Sequence, residues 1–522
     1  MSAITKSTSI AEVLERCASA RRIFDQHGLR GCGGVGGPAE SLEFFATVHQ
    51  ANLDELLREL NAEIAKPSAA ALPFHESIAD YIYRRFFKAG VAVVLSIGAF
   101  WGAINLLQLA VARGFAQLDM MASIHAHAHA MIFGWMGLFV MGFAYQSFPR
   151  FKNTTLWRPE LANLTFYLML AGIGLRVVAE MLRRGVLAIS LASVSAAVEV
   201  TAVALFITIL ICTARKSIEP PVYYEKFIFA AYFWFLVQAL LDPILFFAKA
   251  TAYSQAQLIS RVALLDGPLR DMQLLGFGAL IIAGVSQRFV PHVYGLQRPP
   301  RDLHRPIFIL INGALLLDIA SYVALRLTGR SVFIYTLELA YVLMLAWAVL
   351  LVKQLGIFSR SAQPDRTLKF VRSAYVWLLA SAAMLPFFLP YGFWSRQGFA
   401  HDYMAAYHHA YTVGFVSMMI VGVASRVVPI LAGLDASRLS RLWGPFLLLN
   451  IGSIGRVSLQ ITADWFPQVA FPLVGLTGFL EVAALSWWGI ELWRLMNIAA
   501  NRPKLLVTSV QPARPQLISI AN

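Results

Sequence analysis

Six histidines in two short stretches carry the most chemistry in this chain. His125, His127 and His129 alternate within His125-Ala126-His127-Ala128-His129-Ala130-Met131-Ile132-Phe133-Gly134, which opens an apolar run ending near Pro149. His401, His408 and His409 open a second run of similar length. On a helix, positions i and i+4 share a face, so His125 and His129 stack one above the other. His127 lies roughly 200° round from them and faces nearly the opposite way. Imidazole is the commonest side-chain ligand for iron and copper, and an ionisable group inside a membrane span is a candidate functional site. The alternative is a set of hydrogen-bonded histidines at helix interfaces.

The elements that must position these residues are membrane helices. The chain has 522 residues, 58% hydrophobic and 14% charged, which points to one large polytopic protein rather than several soluble domains. Apolar runs long enough to span fall near 87–112, 121–149, 161–183, 186–212, 226–249, 269–293, 304–326, 332–357, 370–394, 401–431, 440–462 and 469–494, here spans 1 to 12. The 43 Lys and Arg against 29 Asp and Glu leave a net charge of +14. In a soluble protein that would suggest nucleic acid. Here the basic residues sit in short loops, so the partner is membrane lipid and no nucleic acid is expected. Arg150, Lys152, Arg158, Arg215, Lys216, Arg298, Arg301, Arg305, Arg360, Arg366, Lys369, Arg438 and Arg441 lie on one side; Arg113, Arg183, Arg184, Arg261 and Arg330 lie on the other. The positive-inside rule then puts both termini in the cytoplasm of an inner-membrane protein, with His129 near the outer end of span 2. Cys17, Cys32 and Cys212 form no disulfide framework, and Met1 to Glu12 do not read as a cleaved signal peptide.

The landmarks of span 2 recur. His129, Gly134, Gly142 and Pro149 have the same spacing as Asp271, Gly276, Gly284 and Pro291 in span 6, and as His409, Gly414, Gly422 and Pro429 in span 10. At one fixed distance after each proline comes a charge in the next span: Arg176, Asp318 and Arg456. The expected fold is therefore all-α, a triplicated four-helix unit with spans 2, 6 and 10 equivalent. The recurring glycines would admit close packing of a backbone or a flat ligand. Equivalent positions in a threefold bundle converge, so His129 and His409 are candidate axial ligands of one haem, b-type being expected. Arg176 and Arg456 would pair with haem propionates, or with Glu180, Glu199 or Glu481. His125, His127, His401 and His408, beside His129 and His409, could form a further metal site, copper being possible. Asp271 is a hard carboxylate and is not expected to ligate haem iron.

Residues 1–70 read as a small cytosolic helical domain, 85–497 as the membrane domain and 498–522 as a cytosolic tail. The membrane part resembles the NnrS family. The matching pieces are His127-Ala128-His129-Ala130-Met131-Ile132-Phe133-Gly134, Arg288-Phe289-Val290-Pro291, and His409-Ala410-Tyr411-Thr412-Val413-Gly414 leading to Arg426. That resemblance implies a haem-containing bacterial inner-membrane protein, with copper as a second candidate metal, linked to nitric-oxide or nitrosative stress, with nitric oxide or another diatomic gas as its small-molecule partner. More distantly, twelve spans in three arcs resemble the catalytic subunit of haem–copper oxidases and nitric-oxide reductases. Those enzymes take copper ligands from spans 6 and 7; here span 6 offers Asp271, and span 7 has no histidine after His304. Residues 5–66, through Phe24-Asp25-Gln26-His27-Gly28-Leu29, Cys32 and the helix Leu53 to Leu60, resemble the N-terminal domain of ScdA-type iron-centre repair proteins and the redox-disulfide domain associated with hybrid-cluster proteins. A cytosolic redox partner through residues 1–70 is implied. Those families carry a second cysteine near the first, whereas Cys32 is flanked by glycines. Three functions stay open: a haem-binding protein of nitric-oxide tolerance, a nitric-oxide or oxygen reductase, and a transporter of a metal complex.

Overall fold

The computed structural model describes residues 3–30, 32–34, 36–66, 78–112, 120–299, 302–363, 365–396 and 400–500. The loop residues Arg113 and Arg301, and the tail beyond residue 500, lie outside the described residues. All twelve expected runs are helical. Eleven are long and apolar enough to cross a membrane: Ile78–Ala112, Met121–Phe151, Pro159–Leu182, Val186–Arg215, Tyr223–Ala250, Gln255–Tyr294, His304–Thr328, Val332–Leu355, Leu368–Ser395, His401–Leu431 and Pro467–Ala500. Span 11, Trp443–Thr462, is a 20-residue helix made less apolar by Asn450, Arg456 and Gln460. It packs along span 12.

Spans 2, 6 and 10 form the centre. Their apolar stretches are 78, 89 and 72% buried, against 33–56% for the other eight, which show one side outward. The three central helices share a local irregularity that follows each landmark at once. After His129, Asp271 and His409 the backbone widens into π-helical segments, Ala130–Gly137, Met272–Ala279 and Ala410–Ser417. Such i→i+5 segments are rare and concentrate at functional sites. Three at one register support the triplication independently of the spacing.

The recurring glycines are explained by packing. A Cβ on Gly134 would lie 2.4 Å from Val93 Cγ1, one on Gly276 2.7 Å from Trp234 Cγ, and one on Gly414 2.5 Å from the Trp377 ring. The second set, Gly142, Gly284 and Gly422, closes in the same way on Phe86, on Ile228 and Phe227, and on Phe370. Every partner lies on the first helix of its repeat, span 1, 5 or 9. The close neighbour at these glycines, expected to be a backbone or a flat ligand, is thus a side chain. Between the central helices, Val140, Ile282 and Ile420, with Phe143, Val285 and Val423, help line an apolar cavity of about 90 Å³.

The N-terminal module has four α-helices, α1 Ile10–Arg16, α2 Arg21–Gln26, α3 Leu42–His49 and α4 Leu53–Ile64. Ser9, Ser41 and Asn52 cap α1, α3 and α4 by accepting backbone N–H groups of the first turn. Val13, Phe24, Phe45, Leu56 and Leu60 form its core. The module sits on the C-terminal ends of the three central helices. Arg150 donates to Arg30 O at 2.7 Å, Arg288 to Val48 O at 2.8 Å, and Arg426 to Glu40 Oε1 at 3.1 Å. Gly433 meets Gly33 so closely that a Cβ would fall 2.4 Å from its carbonyl oxygen. Cys32 is buried at this junction, its Sγ 4.0 Å from Ile430 O, and burial pushes its thiol up to about 11. A thiol held so far from ionisation is a poor nucleophile.

Candidate metal and charge sites at the repeat seams

The three landmark residues lead to three different polar seams, at the end of the bundle away from the module. The first surrounds His129. Its Nε2 lies 2.9 Å from Glu199 Oε1 in span 4, and its Nδ1 lies 3.3 Å from Asp242 Oδ2 in span 5. Asp242 also receives Arg176 Nη2 at 2.9 Å, while Arg176 Nε is 3.3 Å from Glu180 and Lys249 is 2.9 Å from the same carboxylate. The Arg176 guanidinium lies 4.8 Å from the centre of the Phe246 ring. All are buried except the partly exposed Lys249. Both ring nitrogens of His129 therefore face carboxylates, which leaves no lone pair directed at a metal. The anionic partners of Arg176 are Asp242 and Glu180.

The second seam holds the buried pair Asp271 and Asp318, two carboxyls within electrostatic reach of one another. Tyr341 and Tyr407 are within electrostatic reach of the pair.

The third seam joins repeat three to repeat one. His409 Nδ1 lies 2.8 Å from Ala405 O, and His127 Nδ1 lies 2.9 Å from Gly98 O. A backbone carbonyl only accepts, so each Nδ1 carries the hydrogen and each Nε2 carries the lone pair. That is the arrangement in which histidines bind metals. The His127 ring lies against Gly102, where a Cβ would meet Cε1 at 2.6 Å. His127 is within electrostatic reach of both Arg456 and His409. Arg456 Nη2 is 3.3 Å from His409 Nε2, and its Nε donates to Gln460 Oε1 at 2.9 Å. Arg456 makes no ion pair with a carboxylate among the described residues. Glu481 Oε1 and Asp402 Oδ2 are buried nearby without a hydrogen-bond partner.

The histidines singled out from sequence are thus divided. His127 and His409 share the third seam; His129 belongs to the first. His125 lies 3.4 Å from Arg270, which pairs with Asp266 at 3.1 Å, and His408 is within electrostatic reach of both. His401 is exposed at the start of span 10. Among the described residues, no three His, Cys, Asp or Glu side chains are grouped to hold a metal ion. His127 meets span 1, whereas His129 meets spans 4 and 5 and His125 meets span 6. Sequence reasoning misses Asp242 and Arg270. Asp242 belongs to the next repeat, where its only signal is a carboxylate before Pro243 in an apolar run; Arg270 is overshadowed by Asp271 beside it.

His127 and His409 present Nε2 as the acceptor nitrogen, and Arg456, which meets His409 Nε2 and makes no ion pair among the described residues, would have to turn from that imidazole to the acidic substituents of a metal-bearing group for such a group to bind here. His129, by contrast, has a carboxylate beside each of its ring nitrogens. No curated protein matches the chain. A family model described as NnrS protein matches residues 78–498, the whole helical bundle with its three seams. The chain belongs to the NnrS family.

Proposed function

We propose that this membrane protein binds haem at the third seam, through His127 and His409, and serves the bacterial response to nitric oxide. The observation that carries the reading is the pair of backbone carbonyls, Gly98 O and Ala405 O, that leave Nε2 as the acceptor nitrogen of both rings, that of His409 now meeting Arg456 Nη2. Bound haem would supply a redox-active iron with affinity for diatomic gases. The chain's own residues do the rest. The carbonyls orient the rings, Gly102 lets His127 approach span 1, and Arg456 offers its guanidinium to a propionate. His129, clamped by Glu199 and Asp242, braces span 2. The nitric-oxide role rests on family resemblance, and the inner-membrane placement with cytoplasmic termini rests on the loop charges. Copper is the second candidate occupant.

The test is the absorption spectrum and metal content of purified protein. His127→Ala and His409→Ala should each abolish normal low-spin haem. His129→Ala should keep its spectrum at reduced yield, because an uncompensated buried Asp242 and Glu199 weaken folding. Haem retained at full occupancy in both His127→Ala and His409→Ala would refute the assignment. Copper without haem would transfer the seam to the other metal. Cells lacking the protein should then grow more slowly under nitric oxide, and the His409→Ala protein should fail to rescue them.

A further inference from the structure

At the opposite end of the bundle, a polar cavity of about 430 Å³ lies between the module and the ends of spans 2, 5, 6 and 7. That volume falls within the range of small-molecule sites, about 300–1,000 Å³. Its lining includes four permanent cations, Arg150, Lys152, Arg288 and Arg298, against two carboxylates, Glu55 and Glu219. Two of the cations have carboxylates of their own: Arg150 with Asp80 at 3.8 Å and Lys152 with Glu225 at 3.0 Å. Arg288 and Arg298 make no ion pair among the described residues. Arg288 is 9% exposed, donates to Val48 O and rests 5.4 Å from the centre of the Phe151 ring. Arg298 donates to Gln287 O, and the solvent-exposed Asp302 is within its electrostatic reach.

The module supplies the facing wall, including the amide side chains of Gln50 and Asn52 and the imidazole of His49. Burial, then the charges of Arg288 and Arg150, push His49 down to about 3, so it stays neutral and reports a positive local field. A nearly buried guanidinium without a paired carboxylate, as at Arg288, is costly to hold beside a cavity unless an anion joins it, and the exposed Arg298 is within its electrostatic reach to supply a second fork. Guanidinium forks match phosphate oxygens in geometry as well as charge.

We infer that this cavity is a binding site for a phosphate group, held by Arg288 and Arg298 and bridging the module to the membrane domain. The group could come from a soluble phosphate compound or from a lipid headgroup at the membrane surface.

The experiment uses the full chain, with inorganic phosphate as the probe and thermal unfolding as the readout. In detergent, phosphate should raise the unfolding midpoint with a saturating dependence, and chloride at equal ionic strength should not. Arg298→Gln, which removes only one bond to a backbone carbonyl, should weaken the half-saturating concentration about tenfold or more. Arg288→Lys keeps the charge but loses the fork, and should weaken it too. Glu55→Gln should tighten it. Nanodiscs separate the two sources. If the phosphate response persists in phosphatidylcholine and vanishes in phosphatidylglycerol, headgroups fill the site. If it persists in both, the ligand is soluble. No saturable phosphate effect in either detergent or phosphatidylcholine, or an unchanged response in both arginine variants, overturns the inference.

Discussion

At the residue scale, the chemistry here is decided by which atoms each polar group faces. His129 and His409 occupy equivalent positions, yet one faces two carboxylates and the other a guanidinium. Asp242 matters most in the first seam because it serves both His129 and Arg176. Asp242→Ala should destabilise the protein by about 3–5 kcal/mol, the usual cost of stranding a buried charge. A loss below about 1 kcal/mol in chemical denaturation would show that Arg176 is satisfied without it. A second residue-scale prediction concerns Glu40 at the module junction. Burial raises its carboxyl from 4.5 to about 7, Asp365 adds to this, and Arg426 opposes it. A carboxyl raised on docking binds its proton more tightly in the docked state, so docking is favoured at low pH. That contribution is fully present below about 4.5 and is lost as pH rises through about 7. Hydrogen exchange at the junction, corrected for its intrinsic pH dependence, should therefore speed up across about pH 5 to 8. Glu40→Gln should flatten the profile, and an unchanged slope in that variant would assign the pH dependence elsewhere.

At the element scale, the unit of construction is a central helix that widens after its landmark and then carries two glycines against the first helix of its repeat. Val93, Trp234 and Trp377 fill equivalent contacts although their volumes differ widely, so each glycine is adapted to its own neighbour. Gly414→Ala places a methyl carbon 2.5 Å from the Trp377 ring. Overpacking of this kind should cost about 1–3 kcal/mol. A methyl group on Gly174 would have nothing within 4 Å, so Gly174→Ala is the control. It should be neutral or stabilising by up to about 1 kcal/mol through helix propensity. Equal unfolding midpoints for the two variants would remove the close-packing account of the recurring glycines.

At the scale of the whole molecule, the polar chemistry is split between two ends. The seams lie at the N-terminal ends of the central helices, and the module with its cationic cavity lies at their C-terminal ends. An apolar core of spans 2, 6 and 10 separates them. Removing residues 1–66 should therefore leave the proposed haem spectrum unchanged while exposing the bundle ends around Arg288 and Arg426. Loss of the haem spectrum in a truncated protein that still elutes as a folded species would show that the two ends are coupled. In that case the module would be part of the cofactor site's support, and the separation by the apolar core would not insulate it.

Much of this architecture was legible from the chain because hydropathy, spacing and charge are local quantities. Span positions follow from apolar length, and the threefold repeat follows from four landmarks at fixed intervals. The opposed aims of His127 and His129 follow from the helical turn, because both precede the π-helical segment. What the sequence left open was which group each side chain meets, since that depends on neighbours contributed by other repeats and other spans. Asp242 reaches His129 from span 5, Gly98 receives His127 from span 1, and Arg270 meets His125 from span 6. No spacing rule connects these pairs. That His127, rather than His129, lies in the same seam as His409 was decided by the tertiary structure, because the group each buried imidazole meets is brought from another span.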